Sequence, residues 1–190
     1  MDYHLNEDYS KIYKNLKLIG TGEFTNVYRA ENKNKELRAI KIIKLEEIKI
    51  QIQKDNSSDI NEIINNIKNE IQNMKICEEN NINSIKCYEV FQTENEFAII
   101  LELCNKSLRE DILVKKFNPK EIFEIFNQLN NTFKIMKEKK IVHRDLKPDN
   151  ILIKTENGKP IIKLCDYGIS IIDKYTKLTS YKGTNEYMAP

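Results

Sequence analysis

The stretch His143-Arg144-Asp145-Leu146-Lys147-Pro148-Asp149-Asn150 packs five ionisable side chains and one amide between two short apolar runs, Ile141-Val142 and Ile151-Leu152-Ile153. Asp145 and Asn150 form a hard-oxygen pair suited to Mg²⁺, an ion that proteins usually hold together with phosphate oxygens. One carboxylate kept off the metal would be free to accept a hydroxyl proton. Lys147 would neutralise charge on a phosphoryl group in transfer. A second carboxylate, Asp166, follows the apolar pair Leu164-Cys165. Charge concentrated in an apolar frame is what a preorganised site requires.

Three earlier features suit the same chemistry. Lys41 lies in Ala39-Ile40-Lys41-Ile42-Ile43, a strand-like run with no other polar residue. Such a lysine either sits at an edge or is held as a fixed cation for phosphate. Glu70 falls on the apolar stripe of a helical pattern, where an unpaired carboxylate is costly. It either snorkels at the edge of the stripe or meets a cation, and Lys41 is the natural partner. Gly20-Thr21-Gly22 allows close backbone approach to an anion, although Gly-x-Gly hairpins are commonly turns and nothing more.

The elements that must position these residues fall into two parts. The runs at Leu16–Ile19, Asn26–Ala30, Leu37–Ile43, Ile85–Phe91 and Phe97–Leu101 read as five strands of an antiparallel meander. Ile60, Ile63, Ile64, Ile67, Ile71 and Met74 form one stripe of a long helix, with Ser57, Ser58 or Asp59 as its cap. Between Lys44 and Asp55 the pattern is ambiguous and assigns no element. Ser107 with Glu110 fits a capping box opening a short helix. Asn118-Pro119-Lys120-Glu121 opens a longer one, expected to run to about Lys139. Asn157-Gly158 between two apolar runs is a hairpin signal. Two lobes with a cleft between them are expected, with the connector near Leu103 to Lys106.

Composition excludes several classes. The chain has 190 residues, 40% hydrophobic and 32% charged, with net charge +2, so nothing argues for nucleic-acid or membrane binding. Cys77, Cys87, Cys104 and Cys165 form no CxxC pair and read as reduced thiols. No signal peptide and no run near the ~20 residues of a membrane span is visible. A cytoplasmic or nuclear location is the expectation.

Read together, the motifs resemble the protein kinase family. His143 to Asn150 matches the family's catalytic loop, Ala39-Ile40-Lys41 its third-strand lysine motif, and Asp166-Tyr167-Gly168 its DFG triplet. Gly183-Thr184-Asn185-Glu186-Tyr187-Met188-Ala189-Pro190 resembles the segment that closes the activation loop. Their conjunction in this order is far more specific than any one of them.

The resemblance implies an α+β bilobal kinase-like fold. Its N-lobe would hold a five-stranded antiparallel sheet and one long helix over residues 1–103. A partial helical C-lobe would span 104–190, incomplete at the C-terminus. The implied activity is transfer of the γ-phosphoryl of ATP, with Mg²⁺, to Ser/Thr hydroxyls of a protein substrate. Lys147 and Thr184 resemble the serine/threonine branch. Lys41 would hold the α- and β-phosphates and pair with Glu70. Asp166 and Asn150 would bind Mg²⁺, and Asp145 would orient the substrate hydroxyl. Ile19, Gly20, Thr21, Gly22, Val27, Ala39 and Leu152 would line the nucleotide site. Leu101 would be the gatekeeper, and Glu102, Leu103 and Cys104 the hinge. Arg144 would clamp a phosphorylated activation-loop residue, Thr179 or Ser180, placed there by an upstream kinase. His143 is implied to be a packing and hydrogen-bonding residue.

The sequence departs from the family in four places. Thr25 replaces the third glycine of the loop, with the backbone donors of Gly20 and Gly22 expected to remain. Tyr167 replaces Phe, so its hydroxyl needs a partner. An insertion lies around Lys49 to Asp59. The family's next residues after Pro190 are missing, which raises a second reading: a catalytically silent ATP-binding or scaffold fragment, with apolar residues of the Asn118–Lys139 helix exposed.

Overall fold

The computed structural model describes residues 1–55 and 59–167. Contacts divide the chain into two compact units. The first comprises Met1–Ile60 and Lys86–Leu103, and the second Asn61–Ile85 together with the described residues from Cys104 onward.

The first unit is built on a six-stranded sheet. Its strands are β1 (Asp2–Leu5), β2 (Lys14–Thr21), β3 (Thr25–Glu31), β4 (Leu37–Lys44), β5 (Cys87–Gln92) and β6 (Glu96–Glu102), in the order β1-β5-β6-β4-β3-β2. Five strands are antiparallel neighbours, but β1 pairs in parallel with β5, Asp2 opposite Glu89 through Leu5 opposite Gln92. The sheet is therefore six-stranded and mixed, not five-stranded and antiparallel. The extra strand has only four residues, and its partner lies far along the chain, so no turn announces it. Tertiary contacts hold it instead. The His4 ring stacks on Phe91 at 4.4 Å, and the Tyr3 hydroxyl donates to the Gln92 side chain. One face of the sheet is sealed by Tyr13, Ala30, Ile40, Ile42, Phe91, Ala98 and Ile100, with Tyr9 and Ile12 packed on them.

A helix, α1 (Leu45–Asp55), occupies the stretch that the pattern left unassigned. Ile48, Ile50 and Ile52 alternate as a strand would, while Leu45 and Ile48 stand three apart as a helix requires. Burial decides between them: Leu45 and Ile48 are buried, but Ile50 is 48% exposed. The helix is tied to the β5–β6 turn by Glu46 N–H to the Asn95 carbonyl and Lys49 Nζ to the Glu94 carbonyl.

The second unit holds the longer helices. In α2 (Ile60–Glu78) the stripe Ile63, Ile67, Ile71 and Met74 is buried, and Glu70 is buried with it. Of the proposed caps, Ser57 and Ser58 lie outside the described residues. Both predicted capping boxes form. Ser107 and Glu110 exchange bonds at the start of α3 (Leu108–Val114), and Asn118 and Glu121 at the start of α4 (Pro119–Glu138). Such a cap contributes about 1 kcal/mol. A small sheet joins β7 (Lys106–Ser107), β8 (Ile151–Glu156) and β9 (Lys159–Leu164). Asn157 and Gly158 turn the β8–β9 hairpin with φ of 50° and 75°, the two positive values of a type I′ turn.

On α4 only Leu129, Thr132 and Met136 are buried. Ile122, Phe123 and Phe126, in its N-terminal half, are 44%, 70% and 60% exposed. Among the described residues, no helix is long and apolar enough to cross a membrane.

Candidate active site

The charged loop between α4 and β8 is framed differently from the sequence expectation. Ile141 and Val142 form no strand, and Val142 is 67% exposed. The chain is instead tied to the end of α4 by Ile141 N–H to the Met136 carbonyl at 2.8 Å. On the other side a single 3₁₀ turn, Pro148–Asn150, leads directly into β8.

Within this frame the loop's polar groups are tied together. The buried Asn150 amide donates to the Asp145 backbone carbonyl at 2.7 Å and to its carboxylate at 2.9 Å. Lys147 Nζ reaches the same carboxylate oxygen at 2.7 Å. Asp145 thus points to one side by virtue of an amide and a cation, both drawn from its own loop. Arg144, immediately before it, has φ 68°, a left-handed conformation that the fixed neighbours impose.

Asp166 is attached to this cluster through Cys165. The Cys165 N–H donates to the Asn150 carbonyl at 3.0 Å, and its thiol to the same oxygen at 3.3 Å. The Cys165 carbonyl accepts from His143 Nε2 at 2.9 Å. A carbonyl only accepts, so His143 carries its proton on Nε2. Its Nδ1 is buried without a hydrogen bond, and burial depresses the imidazole below its ordinary pKa. His143 is thus a structural donor that joins the catalytic-type loop to the strand before Asp166.

The donor set fits a divalent cation shared with phosphate. The donor end of the Asn150 amide is committed to Asp145, which leaves its oxygen end as the ligand type. Asp166 supplies a carboxylate one residue beyond Cys165. Among the described residues, no three of His, Cys, Asp or Glu converge to hold a metal. A cation at Asn150 and Asp166 would therefore draw its remaining ligands from a nucleotide's phosphates and from water.

Arg144 also lines a cavity of about 300 Å³ with Lys139, Lys140 and three amides of α2, Asn66, Asn69 and Asn73. Glu70 and Tyr167 contribute to the same wall. Leu152 lies half-buried on β8 opposite Ser107 and Lys163, and Cys104 lies half-buried just before β7.

The remaining candidates belong to the first unit. Lys41 is buried at the centre of β4, opposite Val27 on β3 and Ile99 on β6. Ala39 stands two residues before it, opposite Leu101, and both are buried. The Glu102 carboxylate accepts from Lys86 N–H at 2.8 Å, so it anchors the end of β6, and Leu103 follows half-buried. Ile19, Thr21 and Gly22 are exposed, and Gly20 pairs with Val27. The Gly22 N–H donates to the Thr25 carbonyl at 2.7 Å, so it closes the β2–β3 turn and is not free for phosphate in this structure. A Cβ on Gly22 would meet Thr25 Oγ1 at 2.6 Å, which makes the glycine necessary unless Thr25 changes rotamer. Gly168, Thr179, Ser180 and Thr184 lie outside the described residues.

Comparison with known proteins agrees with this assembly. Residues 13–190 match the protein kinase domain. The chain belongs to the protein kinase family. It is 30% identical over 187 residues to calcium-dependent protein kinase 4 of Plasmodium falciparum, covering 96% of this chain and 33% of that one. It is 34% identical over 190 residues to calcium-dependent protein kinase 5 of Plasmodium berghei, covering 97% and 31%. It is 32% identical over 184 residues to serine/threonine-protein kinase atg1 of Dictyostelium discoideum, covering 92% and 26%. The kinase domain thus spans a third or less of the length of these relatives.

Sequence reasoning missed a set of buried polar residues between α2 and β5. Asn81 donates to the Cys77 carbonyl at 2.8 Å and to Thr132 Oγ1 at 2.9 Å. Asn83 donates to the Ile162 carbonyl at 2.8 Å, and the Ser84 and Tyr167 hydroxyls lie 2.5 Å apart. A polar run between an amphipathic helix and an apolar strand reads as an exposed loop. Here Asn81, Asn83 and Ser84 are buried.

Proposed function

We propose that this chain is a serine/threonine protein kinase domain that transfers the γ-phosphoryl of ATP to a protein hydroxyl. The observation that carries the proposal is the Asp145 carboxylate fixed by Lys147 and Asn150, with Asp166 tethered beside it through Cys165. In this reading Asp145 orients the substrate hydroxyl and takes its proton, and Lys147 stabilises charge on the phosphoryl group. Asn150 and Asp166 hold the metal. Bound Mg²⁺ would offset the negative charge of the phosphates. Lys41 is the cation for the α- and β-phosphates, and Glu70 is the buried carboxylate of α2 that the resemblance assigns to the same machinery. Ile19, Gly20, Thr21, Val27, Ala39, Leu101, Leu103, Cys104 and Leu152 shape the nucleotide site. Gly22 joins them when its turn opens.

Serine/threonine preference rests on Lys147 and on the names of relatives 30–34% identical to this chain. Arg144, with Lys139 and Lys140 lining the same cavity, supports a clamp for a phosphorylated Thr179 or Ser180, the product of an upstream kinase.

The test is thermal unfolding of the chain with and without Mg²⁺–ATP, followed by transfer to Ser, Thr and Tyr peptides. Nucleotide at a hundred times its dissociation constant stabilises by about 2.7 kcal/mol. A raised midpoint with transfer to Ser/Thr peptides is expected. No rise overturns the proposal. A rise without transfer favours the silent ATP-binding reading.

A further inference from the structure

Tyr167 follows Asp166 directly, and it is 1% exposed. Burial pays for the ring but not for the phenol, which needs a partner. Ser84, also 1% exposed, supplies it at 2.5 Å, and the buried Cys77 thiol of α2 is a second, weaker partner. Ser84 is a fixed post. Leu164 N–H donates to the Asn83 carbonyl and Ile85 N–H to the Leu164 carbonyl, each at 2.9 Å. Asn81 pins the same segment to α4 through Thr132.

Asp166 lies between two restraints. Before it, Cys165 is bonded to Asn150 and His143. After it, Tyr167 is bonded to Ser84, its ring tilted against His143 at 5.6 Å. Asp166 itself has φ 60°, a left-handed conformation that an L-residue keeps only when its surroundings over-determine it. A phenylalanine would fill the same space with no hydroxyl to anchor it.

We propose that Ser84 is a positioning residue. Its hydroxyl latches Tyr167 and so holds Asp166 in the left-handed conformation that presents its carboxylate to a nucleotide-bound divalent cation. The inference rests on the reading of Asp166 as a metal ligand.

The experiment is a double-mutant cycle, Ser84→Ala and Tyr167→Phe, read as ADP affinity by calorimetry with and without Mg²⁺. Each single variant is expected to weaken Mg²⁺-dependent ADP binding about 3- to 10-fold, the change that one net hydrogen bond carries. ADP affinity without Mg²⁺ stays unchanged, and the double variant is no weaker than either single one. Tyr167→Phe preserves volume, so it carries the test alone if Ser84→Ala does not fold. Equal losses with and without Mg²⁺, additive losses, or a lowered unfolding midpoint with Mg²⁺ dependence intact each overturn the latch. If the unmodified chain binds no Mg²⁺–ADP, the kinase reading itself is overturned, and the latch with it.

Discussion

Replacing Asn150 by alanine removes the two bonds that aim Asp145. The backbone at 150 keeps its role, because Cys165 bonds the Asn150 carbonyl and not its side chain. What is lost is one amide bond to a carboxylate and one to a backbone carbonyl. A hydrogen bond to a charged group contributes about 1.5–3 kcal/mol and a neutral one about 1. The Asp145 side chain is 19% exposed and keeps Lys147 at 2.7 Å, so water and the lysine recover part of this. The expected net loss is about 2 to 3 kcal/mol. If all of it appears in the transition state, turnover falls roughly 30- to 160-fold, before any loss of metal affinity. Phosphoryl transfer to a Ser/Thr peptide, measured at saturating ATP and Mg²⁺, reads the rate, and chemical denaturation reads the stability. Asn150→Asp, which keeps an oxygen ligand but loses the donors, separates aiming from metal binding. Turnover and stability both unchanged in Asn150→Ala would refute the argument that this amide fixes Asp145.

Asp166→Ala is expected to abolish phosphoryl transfer, and transfer that persists rejects Asp166 as the metal ligand. Lys41→Met should retain cooperative unfolding at a lowered midpoint, because an apolar chain of similar length fills the space while the groups that balance the buried cation lose it, and transfer falls by orders of magnitude; unchanged turnover breaks its assignment to the phosphates. The His143 imidazole has a folded pKa below its ordinary value, with burial the leading cause. Below about pH 6.5 the unfolded state takes up this proton first. Stability should therefore be full above that value and decline as pH falls toward the depressed folded pKa. His143→Gln keeps a donor for the Cys165 carbonyl, so its unfolding midpoint should fall less between pH 7.5 and 5; equal slopes contradict this.

Several elements, and the contacts within the candidate loop, were legible because their determinants are local. A capping box closes within four residues, so Asn118 with Glu121 and Ser107 with Glu110 could be read directly. Asn157-Gly158 specifies its own turn through two left-handed residues. The stripe of α2 is fixed by a 3.6-residue period, and with it the burial of Glu70. Asp145, Lys147 and Asn150 lie in one short loop, so their spacing in the chain foreshadows their contact.

Only the tertiary structure decided what depends on residues distant in the chain. Strand β1 exists because Phe91 and Gln92 offer a ring and an edge, and four residues cannot encode a parallel partner that lies 87 positions away. Helix α1 won over an equally good alternating pattern because Leu45 and Ile48, not Ile50, found cover. Ile141-Val142 had the composition of a strand, but among the described residues neither pairs with another strand. Ser84, which bonds the Tyr167 hydroxyl, stands 83 residues away. Local periodicity and capping set which segments form. The pairing of edges and the satisfaction of buried polar groups belong to the assembled fold, because each needs two distant surfaces to meet.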